Sequence, residues 1–283
     1  MSHRIGLVGL DSSHAEDFLR HINIEARHAQ MRITALYGTD DARLAGLQRL
    51  DGSLVPYPTL GSLIENVDAV IVGHRDGALH RDAAIACLKA GRPVFVDKPL
   101  ANSQRDAEAM VAAAERSGVP LLSGSALRWQ AETRRIRARL AGMDGSIELH
   151  AWGTWYPESA YGGAIFYAIH TIELVQELLG PQFREVSLRN EDPPVIACRI
   201  AGNEATLSFR PLGPSGHSDF GVEVAAKGVH FRQPIMLGDD YMLPVVDRFA
   251  AMLRTGVAPM TPDELIAPLR LMEAIDTLLA TRS

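Results

Sequence analysis

The sequence predicts a doubly wound α/β domain followed by an α+β domain with an open antiparallel sheet. Two observations carry that expectation. Short apolar runs alternate with helical stretches up to about residue 120, and after about residue 123 most segments alternate apolar with polar residues. Short continuous apolar strands separated by helices are what a parallel sheet covered on both faces requires.

The elements follow in order. Arg4–Leu10 is a first strand, and Ser13-x-x-Glu16 offers a capping box for the helix after it. Ile33–Tyr37 is the second strand, followed by a helix over Ala42–Leu50. Ala69–Val72, Pro93–Val96 and Pro120–Leu122 supply three more strands. The helix between the first two of these ends at Gly91 and Pro93, a stop signal, and the Ala-rich helix Ser103–Ser117 ends at Gly118. Beyond residue 123, strand-like stretches cover Gly145–Pro157, Phe183–Asn190, Val195–Gly202, Glu204–Pro211, Phe220–Gly228 and Val229–Gln233. Gly202-Asn203 and Lys227-Gly228 sit at hairpin turns. The helix Ile165–Leu179 interrupts them, closed by Gly180 and Pro181, and the helices Tyr241–Arg254 and Pro262–Thr281 finish the chain. The expected domains are 1–123 and 124–283, with the last helix free to pack back on the first.

Composition removes several function classes. The 283 residues carry 28 Lys and Arg against 34 Asp and Glu, a net charge of −6 without a basic run, so nucleic-acid binding lacks its electrostatic footprint. No apolar stretch reaches the roughly 18–20 residues of a membrane span. The N-terminal apolar run has no cleavage site after it and reads as a strand rather than a signal peptide. Two cysteines, Cys87 and Cys198, and no CxxC make a reducing cytoplasm the expected location.

In a doubly wound sheet, ligands bind at the carboxyl ends of the strands where strand order reverses. The first such turn reads Gly9-Leu10-Asp11-Ser12-Ser13-His14. A dinucleotide fingerprint has glycine at the first, third and sixth of these places, and here only Gly9 matches. Asp11 stands where the backbone approaches a pyrophosphate, and its charge is repulsive there unless it turns away or caps a neighbouring amide. His14 stands where glycine permits close helix–strand packing. Free N–H groups at the helix start still favour an anion, although Asp11, Ser12 and Ser13 equally suit a helix cap. After the second strand come Gly38, Thr39 and Asp40, with Asp40 the candidate partner for a ribose diol and Arg43 a candidate for a phosphate. NAD and NADP both remain open.

The stretch from Asp68 to Arg128 is more specific. Asp68-Ala69-Val70, His80, Ala90-Gly91 and Asp97-Lys98-Pro99 resemble the glucose–fructose oxidoreductase, inositol dehydrogenase and MocA family of nicotinamide-dependent oxidoreductases, with Asp97 where that family usually has glutamate. Gly162-Gly163 followed by His170 resembles its second-domain segment, and the first turn is similar to a subgroup reading G-x-D-[ST]-S-H. The resemblance implies a Rossmann-like first domain, an NAD or NADP cofactor, a small sugar- or polyol-like substrate and a homodimer or homotetramer.

It also implies roles. Lys98 and His170 are the catalytic candidates. Pro99 ends the fourth strand and presents Lys98 at the sheet's carboxyl edge, where partial burial lowers and a carboxylate neighbour raises a lysine's pKa. Such a lysine can hold a substrate oxygen and shift its proton. His170 has the pKa range for the same work, with Glu173 one turn on to orient it. The family's Asp four residues before this histidine is Phe166 here. Cofactor contacts are expected from Gly9, Leu10, Asp11, Ser12, Ser13, His14, Gly38, Thr39, Asp40, Gly73, His74, His80, Asp97 and Lys98, and substrate contacts from Arg128, Trp129, Tyr156, Tyr161 and Glu173. No metal is expected, because His14, His74 and His80 lack ligand spacing. The leading reading is hydride transfer between a nicotinamide and a sugar, polyol or related hydroxy compound. The alternatives are a lyase, epimerase or hydrolase that uses a nicotinamide transiently, and a non-enzymatic metabolite-binding module.

Overall fold

The computed structural model describes residues 2–281 apart from Pro214, Ser215 and His217. In chain order the elements are β1 (His3–Val8), α1 (His14–Leu19), β2 (Met31–Tyr37), α2 (Asp41–Leu50), β3 (Val55–Pro56), α3 (Leu60–Glu65), β4 (Ala69–Val72), α4 (His80–Lys89), β5 (Val94–Val96), α5 (Gln104–Ser117) and β6 (Leu121–Ser123). They continue with α6 (Ala131–Leu140), β7 (Glu148–Trp155), α7 (Ile165–Leu179), β8 (Phe183–Glu191), β9 (Pro194–Ile200), β10 (Asn203–Pro211), β11 (Phe220–Ala226), β12 (Val229–Ile235), α8 (Leu243–Thr255) and α9 (Pro262–Ala280). A π-helical turn, Arg20–Ile24, prolongs α1. The chain divides into two compact units, one of residues 1–124 with 242–261 and one of residues 125–241 with 262–283.

In the first unit a parallel sheet runs in the order β3-β2-β1-β4-β5-β6, so strand order reverses between β1 and β4. Ile5, Leu7, Val8 and the whole of Ala69–Val72 are buried, as strands covered on both faces must be. The two-residue edge strand β3 is too short to leave a periodic signal in sequence. Ser103 caps α5 through the Asp106 amide, and Gly118 ends it in the left-handed region. The expected capping box at Ser13 does not form: Ser13 makes no side-chain cap, and Glu16 is taken by the Arg43 guanidinium at 2.6 and 2.8 Å. A long-range ion pair outcompetes the local one. The helix that returns to this unit is α8 rather than the last helix, because its apolar face, with Phe249 against Phe95, belongs to this core.

In the second unit the sheet runs β12-β11-β7-β10-β9-β8. It is antiparallel except for β7 and β10, which pair in parallel, a detail the residue pattern did not disclose. The turn between β9 and β10 is Ala201-Gly202, one residue earlier than expected, with both residues at positive φ, as a tight hairpin demands. Helix α7 lies close against β7 at Gly153, where a Cβ would land on Thr171 Oγ1. The last helix, α9, packs on α7 and β8 within this unit. Both cysteines are buried, and burial pushes their thiols up to about 12 for Cys87 and about 11 for Cys198, so they pack rather than react.

Candidate active site

In the first unit, the carboxyl ends of β1, β2 and β4 border a cleft of about 420 Å³ lined by Gly9, Leu10, Asp11, Tyr37, Gly38, Thr39, Asp40, His74 and Leu79. It lies beside the reversal in strand order, where doubly wound sheets receive ligands. Gly9 has φ +78°, and a Cβ there would strike the His74 ring and amide, so only glycine permits this approach. Asp11 turns its carboxylate to the Arg75 amide, at 3.2 Å from both oxygens. Asp40 caps α2 by accepting from the Ala42 and Arg43 amides. Arg43, the candidate phosphate partner, is fully engaged: besides Glu16 it donates to the carbonyls of Leu10 at 2.6 Å and Ser12 at 2.9 Å.

The residues present fit a dinucleotide. The volume is in the range of small-molecule sites, two glycines line the walls, and the His74 Nδ1 is buried without a hydrogen-bond partner. Burial, with the His80 charge, also lowers the His74 pKa, which keeps the ring neutral and able to accept or donate one bond. Gly73, buried, donates to the Val8 carbonyl and shapes the same edge.

Three of the expected cofactor contacts have other duties. His80 is fully buried, with Nδ1 2.9 Å from the Pro99 carbonyl and Nε2 2.8 Å from the His74 carbonyl, so it ties two loops together instead of facing the cleft. The Ser12 hydroxyl accepts the His14 amide. His14 reaches the end of β5, where its Nδ1 lies 2.6 Å from Asp97 Oδ2. Burial alone would push the Asp97 pKa up. The charge and hydrogen bond of His14, with the ammonium and backbone amide of Lys98, outweigh it and hold Asp97 at about 2. Asp97 is therefore a carboxylate, and the His14 Nδ1 carries the proton between them.

Lys98 follows at once, on a cis Lys98–Pro99 bond, and is 7% exposed. The chain has only three lysines, and the other two, Lys89 and Lys227, are exposed. Cations elsewhere are almost all arginine. Lysines are rarely buried, so an amine held at the carboxyl end of a sheet strand is an unusual placement.

In the second unit the aligned residues form a buried polar cluster. Ser125 Oγ lies 2.6 Å from His170 Nδ1. Ser125 is fully buried and its Oγ also accepts the Leu127 amide, so it fixes the orientation of the His170 ring from the Nδ1 side. Ser125 was not apparent from sequence as the histidine's partner; its only local signal is a small hydroxyl residue two before the amide it caps. The expected orienting residue, Glu173, instead accepts the Ser125 amide at 2.6 Å and faces Arg128 at 3.6 Å. Burial raises its pKa against the pull of Arg128. Arg128 and Trp129 are buried too, and Arg128 also bonds Glu177 at 3.2 Å. Arg128, Trp129 and Glu173, expected as substrate contacts, are thus packed inside the second unit rather than exposed. Phe166 packs between Tyr161 and Tyr167, while Tyr156 is exposed and stacks edge-on against Tyr167. Tyr156 remains accessible, and Tyr161 is half-buried.

Known proteins give this arrangement its context. Residues 3–125 match the model of an oxidoreductase family with an NAD-binding Rossmann fold. An inositol 2-dehydrogenase of Saccharopolyspora erythraea is 29% identical over 194 residues, 64% of this chain and 55% of that protein. The matched stretches span about half the length of such curated relatives. A probable dehydrogenase from Thermotoga maritima superposes with a TM-score of 0.84 at 19% identity, covering 99% of this chain and 97% of its own. The WlbA dehydrogenase from Bordetella pertussis, crystallised with NADH and UDP-GlcNAcA, superposes with a TM-score of 0.80 at 20% identity, covering 100% and 98%. At these identities the solved structures speak for the fold. No helix among the described residues is long and apolar enough to cross a membrane. Residues 3–125, where the glycine-walled cleft and the Lys98 strand end both lie, thus match the oxidoreductase family with an NAD-binding Rossmann fold.

Proposed function

We propose that this protein is an NAD-dependent oxidoreductase acting on the hydroxyl or carbonyl carbon of a sugar, polyol or related hydroxy compound. The observation that carries the reading is the single buried lysine, Lys98, beside the Asp97 carboxylate at the end of a parallel strand. When bound, the nicotinamide supplies the hydride acceptor or donor. The cleft walls at Gly9, Gly38, Asp40 and His74 hold the dinucleotide. Lys98 holds the substrate oxygen and moves its proton, and His170 is the second unit's own acid–base candidate. The test is direct: equilibrium titration with NADH and NADPH, then turnover of a sugar and polyol panel followed at the reduced nicotinamide absorbance. Failure of both cofactors to bind at millimolar concentration overturns the reading.

The first unit also supports a preference for NAD over NADP. A 2′-phosphate near Asp40 meets a carboxylate, and Arg43, the cation three residues on, is held by Glu16 and two carbonyls. Glu16→Gln releases the guanidinium from its carboxylate and is expected to raise NADPH affinity relative to NADH by about tenfold, one charge-assisted contact. Equal affinity of the unaltered protein for the two cofactors would overturn this.

The second unit's sheet leaves one face uncovered by α7, carrying Glu148, His150, Glu204, Thr206, Glu223 and His230 around a shallow hollow of about 240 Å³. We infer that this face pairs with a second copy. Light scattering should then return a multiple of the monomer mass, and a monomer at micromolar concentration would contradict it.

A further inference from the structure

Two residues stand out in the sequence: a histidine where the dinucleotide fingerprint has its last glycine, and an aspartate where the resembled strand-end motif has glutamate. The fold brings them together. His14 comes from the turn after β1, and Asp97 follows β5, two strands away past the end of β4. Their side chains meet at 2.6 Å, with Asp97 buried and His14 nearly so. The carboxylate that receives the imidazole also receives the backbone amide of Lys98. The chain geometry at Lys98 is thus held by a side chain from another loop.

We propose that His14 is a positioning residue for Lys98, and that the His14–Asp97 pair replaces a glycine–glutamate combination as one coupled change. The aspartate is one methylene shorter than glutamate, and the imidazole takes up the room that a glycine at position 14 leaves. Asp97 alone, facing a glycine, would be a buried carboxylate lacking its main partner, a costly state. Glutamate opposite His14 would overfill a packed site. Each single reversion therefore disturbs the Asp97–Lys98 backbone, and the double reversion restores it.

This inference rests on the reading of Lys98 as the proton-handling amine, but its test does not need turnover. Acylation by limiting acetic anhydride, followed by peptide mass spectrometry, compares Lys98 with Lys89 and Lys227 as exposed internal standards in the same tube. NADH affinity is measured in parallel. His14→Gly and Asp97→Glu should each change the relative Lys98 acylation rate at least threefold, and His14→Gly/Asp97→Glu should return it to within twofold of the unaltered protein. Such non-additivity is the mark of contacting residues. His14→Gln, which keeps a donor for Asp97, should change it less than His14→Gly. Single variants that leave the rate within twofold, or a double variant whose change is the product of the singles, overturn the proposal. Should His14→Gly fail to fold, the His14→Gln and double variants decide alone. If Lys98→Met spares turnover, the functional reading of Lys98 falls while the acylation result still judges the pair.

Discussion

Lys98→Met is expected to lower turnover of any accepted substrate by about 10²–10⁴-fold, the usual worth of a positioned acid–base group. Methionine keeps most of the buried stem and removes the amine, so the fold and NADH affinity should be retained. The loss should appear in kcat rather than in KM alone, because a proton-handling group acts on the transition state. The measurement is steady-state kinetics on the substrate found in the panel, with NADH binding as the control. Turnover within threefold of the unaltered protein would remove Lys98 from the chemistry. Arginine is no remedy here: it keeps the charge but cannot surrender a proton, so Lys98→Arg should be nearly as slow as Lys98→Met.

The largest effect on stability is expected in the second unit. Arg128 is 3% exposed and answers two carboxylates, Glu173 and Glu177, from within the core. Arg128→Met leaves Glu173 buried without a cation, and breaking a buried pair from one side costs about 3–5 kcal/mol. The pH dependence has a definite sign. Burial already raises the Glu173 pKa, and removing Arg128 takes away the largest opposing influence. A carboxyl whose folded pKa lies above its unfolded value favours folding when protonated, and that support is lost as pH rises through the folded pKa. The variant should therefore lose less stability at pH 5 than at pH 8, read from urea unfolding at each pH. A variant as stable as the unaltered protein at both values would mean that the pair contributes nothing. A loss that grows toward acid would mean that Glu173 is not the group responsible. Glu177 also bonds Arg137 at 2.6 Å, so it keeps a partner and should not confuse the result.

Much of the first unit was legible from residue order. Apolar runs of three to seven residues with helices between them leave few alternatives to a parallel sheet, and Asp97-Lys98-Pro99 placed an amine at a strand's end because proline stops the ladder there. In the second unit, the strands and the long helix were legible for the same reason: periodicity is local. What sequence could not carry was the pairing of distant side chains. Nothing local says that Glu16 abandons a capping box for Arg43, that Asp11 turns to the Arg75 amide, or that the histidine in the glycine's place finds the shortened carboxylate 83 residues on. Ser125 rather than Glu173 meets the His170 ring, because Glu173 is taken up by the Ser125 amide.

By itself, then, the order of residues determined which segments are strands or helices and which end carries the buried amine, since both follow from contacts within a few residues. Only the tertiary structure decided which polar groups satisfy one another. A buried donor or acceptor must find a partner wherever the folded chain supplies one, however far away in sequence that partner lies.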